Sequence, residues 1–146
     1  MGTRSQTYIH DGDFSSAPFV CIYRQMDGYP TGMGDDIVSA LGSRKLVNGY
    51  LDTATEVNGM HCAAALLVSH LKGDECGSIY LYSPDYERSG CDYYYDLAAV
   101  DGVIHLRCTG GYGDKSVLFE GPISSFNGAE VEAKDANEDE DDEDAA

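Results

Sequence analysis

Between Met60 and Leu71 the apolar residues Met60, Ala63, Ala64, Leu67, Val68 and Leu71 recur at steps of three and four, which places them on one face of an α-helix. The pattern predicts a helix that Asn58 can cap and Gly73 can end. A shorter helix is expected over Asp35–Leu41, where Ile37, Val38 and Leu41 share a side, Gly42 follows, and two aspartates sit in the first turn that the helix dipole favours for negative charge. Elsewhere the period is two. Ile79 and Leu81 alternate with Tyr80 and Tyr82 across Ser78–Ser83, the signature of a strand with one buried face. Similar stretches predict strands at Thr3–His10, Phe19–Gln25, Tyr93–Val100, Val103–Thr109 and Val117–Glu120.

The turn residues organise these elements. Asp11-Gly12-Asp13 and Ser15-Ser16-Ala17-Pro18 join the first two strands into a hairpin, while Pro30 and the glycines of Asp27–Gly34 make a loop into the first helix. Asp101-Gly102 is the two-residue hairpin signal of a type I′ turn, so the last strands form a meander. The order ββααββββ argues an α+β fold, an antiparallel sheet of about six strands with two helices packed on one face. From Gly128 apolar residues almost vanish and Glu138–Asp144 is an unbroken acidic run. The organisation expected is one domain over residues 1–127 and a disordered acidic tail over 128–146.

Composition then narrows the function classes. The chain has 146 residues and a formal charge of −17, and ten of its 26 carboxylates fall between Glu130 and Asp144. Its remainder is acidic too, which argues against direct nucleic-acid binding, since that affinity rests on Lys and Arg displacing counterions. The longest apolar stretch, Met60–Leu71, is too short for a membrane span and contains His61, Ser69 and His70. Met1–Gln6 has no apolar run of a secretory signal, so a cytoplasmic location is expected. Five widely spaced cysteines without a Cys-x-x-Cys pair read as reduced thiols, with Cys21, Cys62 and Cys108 as small buried hydrophobes.

Four motifs have both a functional and a structural reading. Gly32-Met33-Gly34 precedes a helix as phosphate loops do, but Asp35 and Asp36 would repel a phosphate, so a structural loop is expected. Gly110–Ser116 resembles the end of a Walker A loop, yet Asp114 interrupts it and Val117-Leu118-Phe119 continues as a strand, which indicates a hairpin loop. His61, Cys62 and His70 lack the spacing of a helical metal-ligand pair, so no metal and no cofactor are expected. Tyr93-Tyr94-Tyr95 places Tyr93 and Tyr95 on one face of a strand and Tyr94 on the other, where tyrosines of a helix-free face can cover the sheet or offer a stacking platform.

The segment richest in recognition chemistry runs from Cys21 to Pro30, where a strand enters a loop. Arg24 shares parity with Val20 and Ile22 and so points to the helix side, where Asp27, Asp35 or Asp36 can form an ion pair with it. The functional alternative is a pocket of Thr3, Arg4, Tyr23, Arg24, Gln25, Asp27 and Tyr29, in which Arg4 or Arg24 meets an anion, Tyr23 or Tyr29 stacks on a ring, and Gln25 or Asp27 reads hydrogen-bonding edges. Met1-Gly2-Thr3-Arg4-Ser5, Cys21–Pro30, Asn58-Gly59-Met60 with its alanine-rich helix, and Gly77-Ser78-Ile79-Tyr80-Leu81-Tyr82 together resemble a family of small uncharacterised proteins of bacteriophages and bacteria. That resemblance implies a phage or prokaryotic cytoplasm and carries over neither an activity nor a catalytic residue.

No catalytic constellation stands out along the chain. The leading expectation is a non-enzymatic binding protein whose partner is a small anionic, nucleotide-like ligand or a host protein. An acidic inhibitor that mimics nucleic acid is the second, motivated by the charge. A small hydrolase using His10 and His105 as general bases is the third.

Overall fold

The computed structural model describes residues 2–110 and 116–145, with side chains of the last helix described as far as residue 136. Within them the chain forms β1 (Ser5–His10), β2 (Pro18–Arg24), α1 (Asp35–Leu41), β3 (Lys45–Val47), β4 (Glu56–Asn58), α2 (Gly59–Lys72), β5 (Ile79–Tyr82), β6 (Tyr93–Val100), β7 (Val103–Gly110), β8 (Val117–Pro122) and α3 (Gly128–Ala145). The class is α+β. Six strands make one sheet in the order β5-β2-β1-β6-β7-β8, and β3 pairs with β4 in a small parallel sheet.

The sheet is mixed, not wholly antiparallel, because β1 and β6 at its centre run parallel. The reason lies in the connection between β5 and β6. Strand β5 is antiparallel to β2, which is antiparallel to β1, so β5 and β1 point the same way. Residues 83–92 then return across the sheet to start β6 beside β1, where the N–H groups of Asp92 and Tyr93 donate to Arg4 O at 3.0 and 3.3 Å. This segment is called the strap below. Strands β6, β7 and β8 form the expected meander, and Asp101 (φ 51°) and Gly102 (φ 77°) both take the positive φ that a type I′ turn demands.

One face of the sheet carries the apolar core. Ile9, Ile22, Tyr95, Leu97, Leu106 and Cys108 project toward Met33, Ile37 and Leu41 of the α1 region and toward Met60, Ala63 and Leu67 of α2. The α2 stripe is the one its periodicity predicts. Asn58 occupies the N-cap position without a side-chain cap bond, and its Oδ1 accepts instead from Gly49 N–H at 2.7 Å. Gly32-Met33-Gly34 is a structural element: Pro30–Gly34 winds as a wide π-helical turn into α1, Met33 is buried, and a Cβ at Gly34 would stand 2.5 Å from the Phe126 ring.

Helix α3 occupies the segment for which composition predicts disorder. Val131 is buried in the common core, Thr31 N–H donates to Glu132 Oε1 at 2.7 Å, and Gly128 N–H donates to Asp35 Oδ1 at 3.1 Å. One apolar anchor and a carboxylate at the helix N-terminus therefore hold the first turns of a sequence rich in Ala and Glu, both good helix formers. The other unpredicted elements, β3 and β4, span three residues each, too few for alternation to show. Most of the glycine-rich loop Gly110–Ser116 lies outside the described residues.

A pocket and a buried charge network beneath the strap

Alternation sends Gln6, Tyr8 and His10 of β1, Cys21 and Tyr23 of β2 and Tyr94 and Asp96 of β6 to the face opposite the helices. The strap covers this face. Tyr8 Oη donates to Tyr86 O, Gln6 Nε2 to Glu87 O at 3.2 Å, and Cys91 N–H to Tyr94 Oη at 3.3 Å. The Arg88 guanidinium lies 4.3 Å from the Tyr8 ring centroid and bonds to Asp96 Oδ1. Burial pushes the Tyr8 hydroxyl well above its ordinary range, so it is a neutral donor.

Asp96 is the centre of the charge network. Its side chain is 3% exposed and receives Arg88 from the strap and His10 Nε2 at 2.8 Å from β1. His10 Nδ1 lies 2.7 Å from Ser16 O. A carbonyl can only accept and so can a carboxylate, which makes both ring nitrogens donors and His10 an imidazolium. The hydrogen bond to Asp96 raises the His10 pKa above its ordinary 6.5, against the opposing effect of burial. Burial also opposes ionisation of Asp96, but the bonds from His10 and Arg88 outweigh it and hold the carboxyl below its ordinary 3.8.

Next to this network the strap leaves a pocket of about 230 Å³. Tyr23, Tyr82 and Tyr86 wall it, with Arg4, Gln6 and the Ser89–Cys91 turn completing the lining. Tyr82 and Tyr86 stack at 4.4 Å with planes 16° apart, and Tyr23 meets Tyr82 edge-on at 5.9 Å. Burial lifts the Cys91 thiol to about 11, so it is protonated at neutral pH. Three arginines are committed to carboxylates: Arg24 to Asp36, Arg88 to Asp96 and Arg107 to Glu120. Arg44 donates to Thr53 O and Glu56 O. The guanidinium of exposed Arg4 has no hydrogen-bond partner among the described residues, although its backbone N–H reaches Asp92 Oδ2 at 3.0 Å.

The seven residues expected to share a pocket are divided by the sheet. Arg4 and Tyr23 line the strap pocket. Arg24 is on the helix side, as its parity predicts, with Nη1 2.7 Å from Asp36 Oδ2 and Nε 2.9 Å from Met26 O. Gln25 is exposed at the strand end, its N–H bonded to Ser78 O, and Thr3 O accepts from Gly28 N–H. Asp27, at φ 61°, accepts from Tyr29 Oη at 3.1 Å. Tyr29 itself borders an open hollow with Thr31, Tyr93, Glu132 and Asp135, whose carboxylates repel an anion.

Sequence reasoning missed Gln6, Tyr82, Tyr86, Arg88 and Asp96. Asp96 had a visible signal, since a carboxylate inside the strand Tyr93–Val100 must find a partner if both faces are covered. The strap residues had none, because a ten-residue loop says nothing of the surface it crosses. Both His10 nitrogens are occupied, by Ser16 O and Asp96, so His10 offers no free base, and His105 is half-buried on β7, on the same face of the sheet with β6 between them. His61 stacks on Phe19 at 3.8 Å, and the five cysteines are free thiols. Among the described residues no group of three or more metal-ligating side chains is close enough to hold a metal ion, and no helix is long and apolar enough to cross a membrane. No family model, curated protein or solved structure matches the chain.

Proposed function

We propose that this is a non-enzymatic binding protein whose strap pocket takes a small anion carrying a flat ring, nucleotide-like in its chemistry. The observation that carries the reading is Arg4, whose guanidinium has no hydrogen-bond partner among the described residues and stands beside the Tyr82–Tyr86 stack, whereas Arg24, Arg44, Arg88 and Arg107 are committed. A guanidinium pairs with a carboxylate or phosphate through two parallel N–H groups, and a tyrosine face takes a ring. The pocket is smaller than the roughly 300–1,000 Å³ of sites for drug-sized ligands, so one ring enters and the rest of the ligand stays at the mouth. A bacteriophage or bacterial cytoplasm, where such a ligand is a signal to be sequestered, belongs to the same proposal.

Native mass spectrometry of the protein purified from bacterial cytoplasm, before and after denaturation, tests it. The expected result is a small anionic mass that is lost on denaturation and absent from Arg4→Ala. Retention of that mass by Arg4→Ala would overturn the assignment of the site.

A further inference from the structure

Three buried side-chain oxygens have no hydrogen-bond partner among the described residues: Ser5 Oγ, Gln6 Oε1 and Thr7 Oγ1. Alternation along β1 sends Ser5 and Thr7 to the helix side of the sheet and Gln6 to the strap side, where it lines the pocket. Of the three, Gln6 alone brings an unpartnered acceptor to a place that a ligand can enter.

Chemistry fixes which end of that amide is which. Glu87 O can only accept, so the end facing it at 3.2 Å is Nε2, and the end left over is the oxygen. Gln6 is 1% exposed, so bulk water does not serve Oε1 in a partner's place. The donors of the lining do not serve it either. Cys91 N–H is spent on Tyr94 Oη, and Arg4 is exposed. A buried acceptor without a donor costs free energy that a donor restores.

We infer, on the anion-and-ring reading of this pocket, that Gln6 selects the ring: the ring carries an N–H donor on its leading edge, and Gln6 Oε1 accepts from it. An exocyclic amino group, as adenine has, meets that requirement. A ring whose leading edge holds only C–H groups leaves the oxygen unpaired and is rejected. Tyr82 and Tyr86, at 37% and 47% exposed, are the walls that turn aside to let the donor reach Oε1. Arg4 then holds the anion outside, so the two ends of the ligand are read by different residues.

Calorimetric titration of the full-length protein with two probes reads the outcome. They are adenosine monophosphate and purine riboside 5′-monophosphate, which has the same phosphate, sugar and ring but a hydrogen in place of the amino group. Adenosine monophosphate is expected to bind about ten- to a hundredfold tighter, the range for one buried acceptor left unpaired. In Gln6→Met, of similar length but without the amide, the two should bind within about twofold of each other. Far-UV circular dichroism checks that variant's fold, and the wild-type comparison stands without it. Equal binding of both probes by wild type, lost in Arg4→Ala, would overturn the inference and leave the anion-and-ring site standing. A preference that persists in folded Gln6→Met would overturn the role of Gln6. Binding of neither probe would overturn both the site and its selectivity.

Discussion

Leu97 and Asp96 are neighbours on β6 and represent two ways of covering one sheet. Leu97 enters a core of aliphatic and aromatic side chains between the sheet and the helices, whereas Asp96 is buried beneath the strap by His10 and Arg88. Apolar burial is non-directional and tolerates rearrangement, so the helix face depends on volume. The strap face depends on donors meeting acceptors, and thus on protonation states. One side of the sheet is built for stability, and the other spends buried polar groups around a pocket.

The largest expected effects come from those two neighbours. Leu97→Ala leaves a cavity and is expected to cost about 2–5 kcal/mol. Asp96→Ala strands two cations and should cost about 3–5 kcal/mol. Chemical denaturation measures both, and the contrast collapses if Asp96→Ala costs under about 1 kcal/mol, the range of a surface pair.

Titration separates the faces further. His10 has a folded pKa above its ordinary 6.5, so its stabilisation is complete below that value and is lost as pH rises through the folded pKa. Asp96 has a folded pKa below 3.8, so its share is present above that value and disappears as pH falls through the depressed pKa. Melting temperature of wild type should therefore decline on both the acid and the alkaline side, and His10→Gln should lose the alkaline limb. An alkaline limb unchanged in His10→Gln would assign it to another group.

Smaller effects distinguish the two arginines read as anion partners. Arg24→Ala breaks a half-exposed pair with Asp36 and a bond to Met26 O, and should lower stability by about 1 kcal/mol. Arg4→Ala should change it by less than about 0.5 kcal/mol, as a surface substitution does, while removing ligand binding. The reverse ranking would move the anion site to the β2 end.

The helix-side half of this molecule was legible because periodicity reports burial against a continuous apolar surface. The α1 and α2 spans, the parity of Arg24 and the turn at Asp101-Gly102 all follow from spacing. The pocket was legible only through Arg4 and Tyr23. Gln6 and Tyr86 meet there because residues 83–92 cross the sheet, a long-range path that no local pattern encodes. The docking of the first turns of α3 was not legible for a related reason: Val131 is a single apolar residue, and its value as an anchor depends on a groove made elsewhere.

The most direct test of the pocket is a ¹H–¹⁵N NMR titration with adenosine monophosphate, an anion with a flat ring, in wild type and Arg4→Ala. Saturable shifts confined to Arg4, Gln6, Tyr82, Tyr86 and Ser89–Cys91 are expected in wild type, and their loss in Arg4→Ala. Absence of saturable shifts, or shifts centred on Arg24, Asp27 and Tyr29, would contradict the assignment of the pocket.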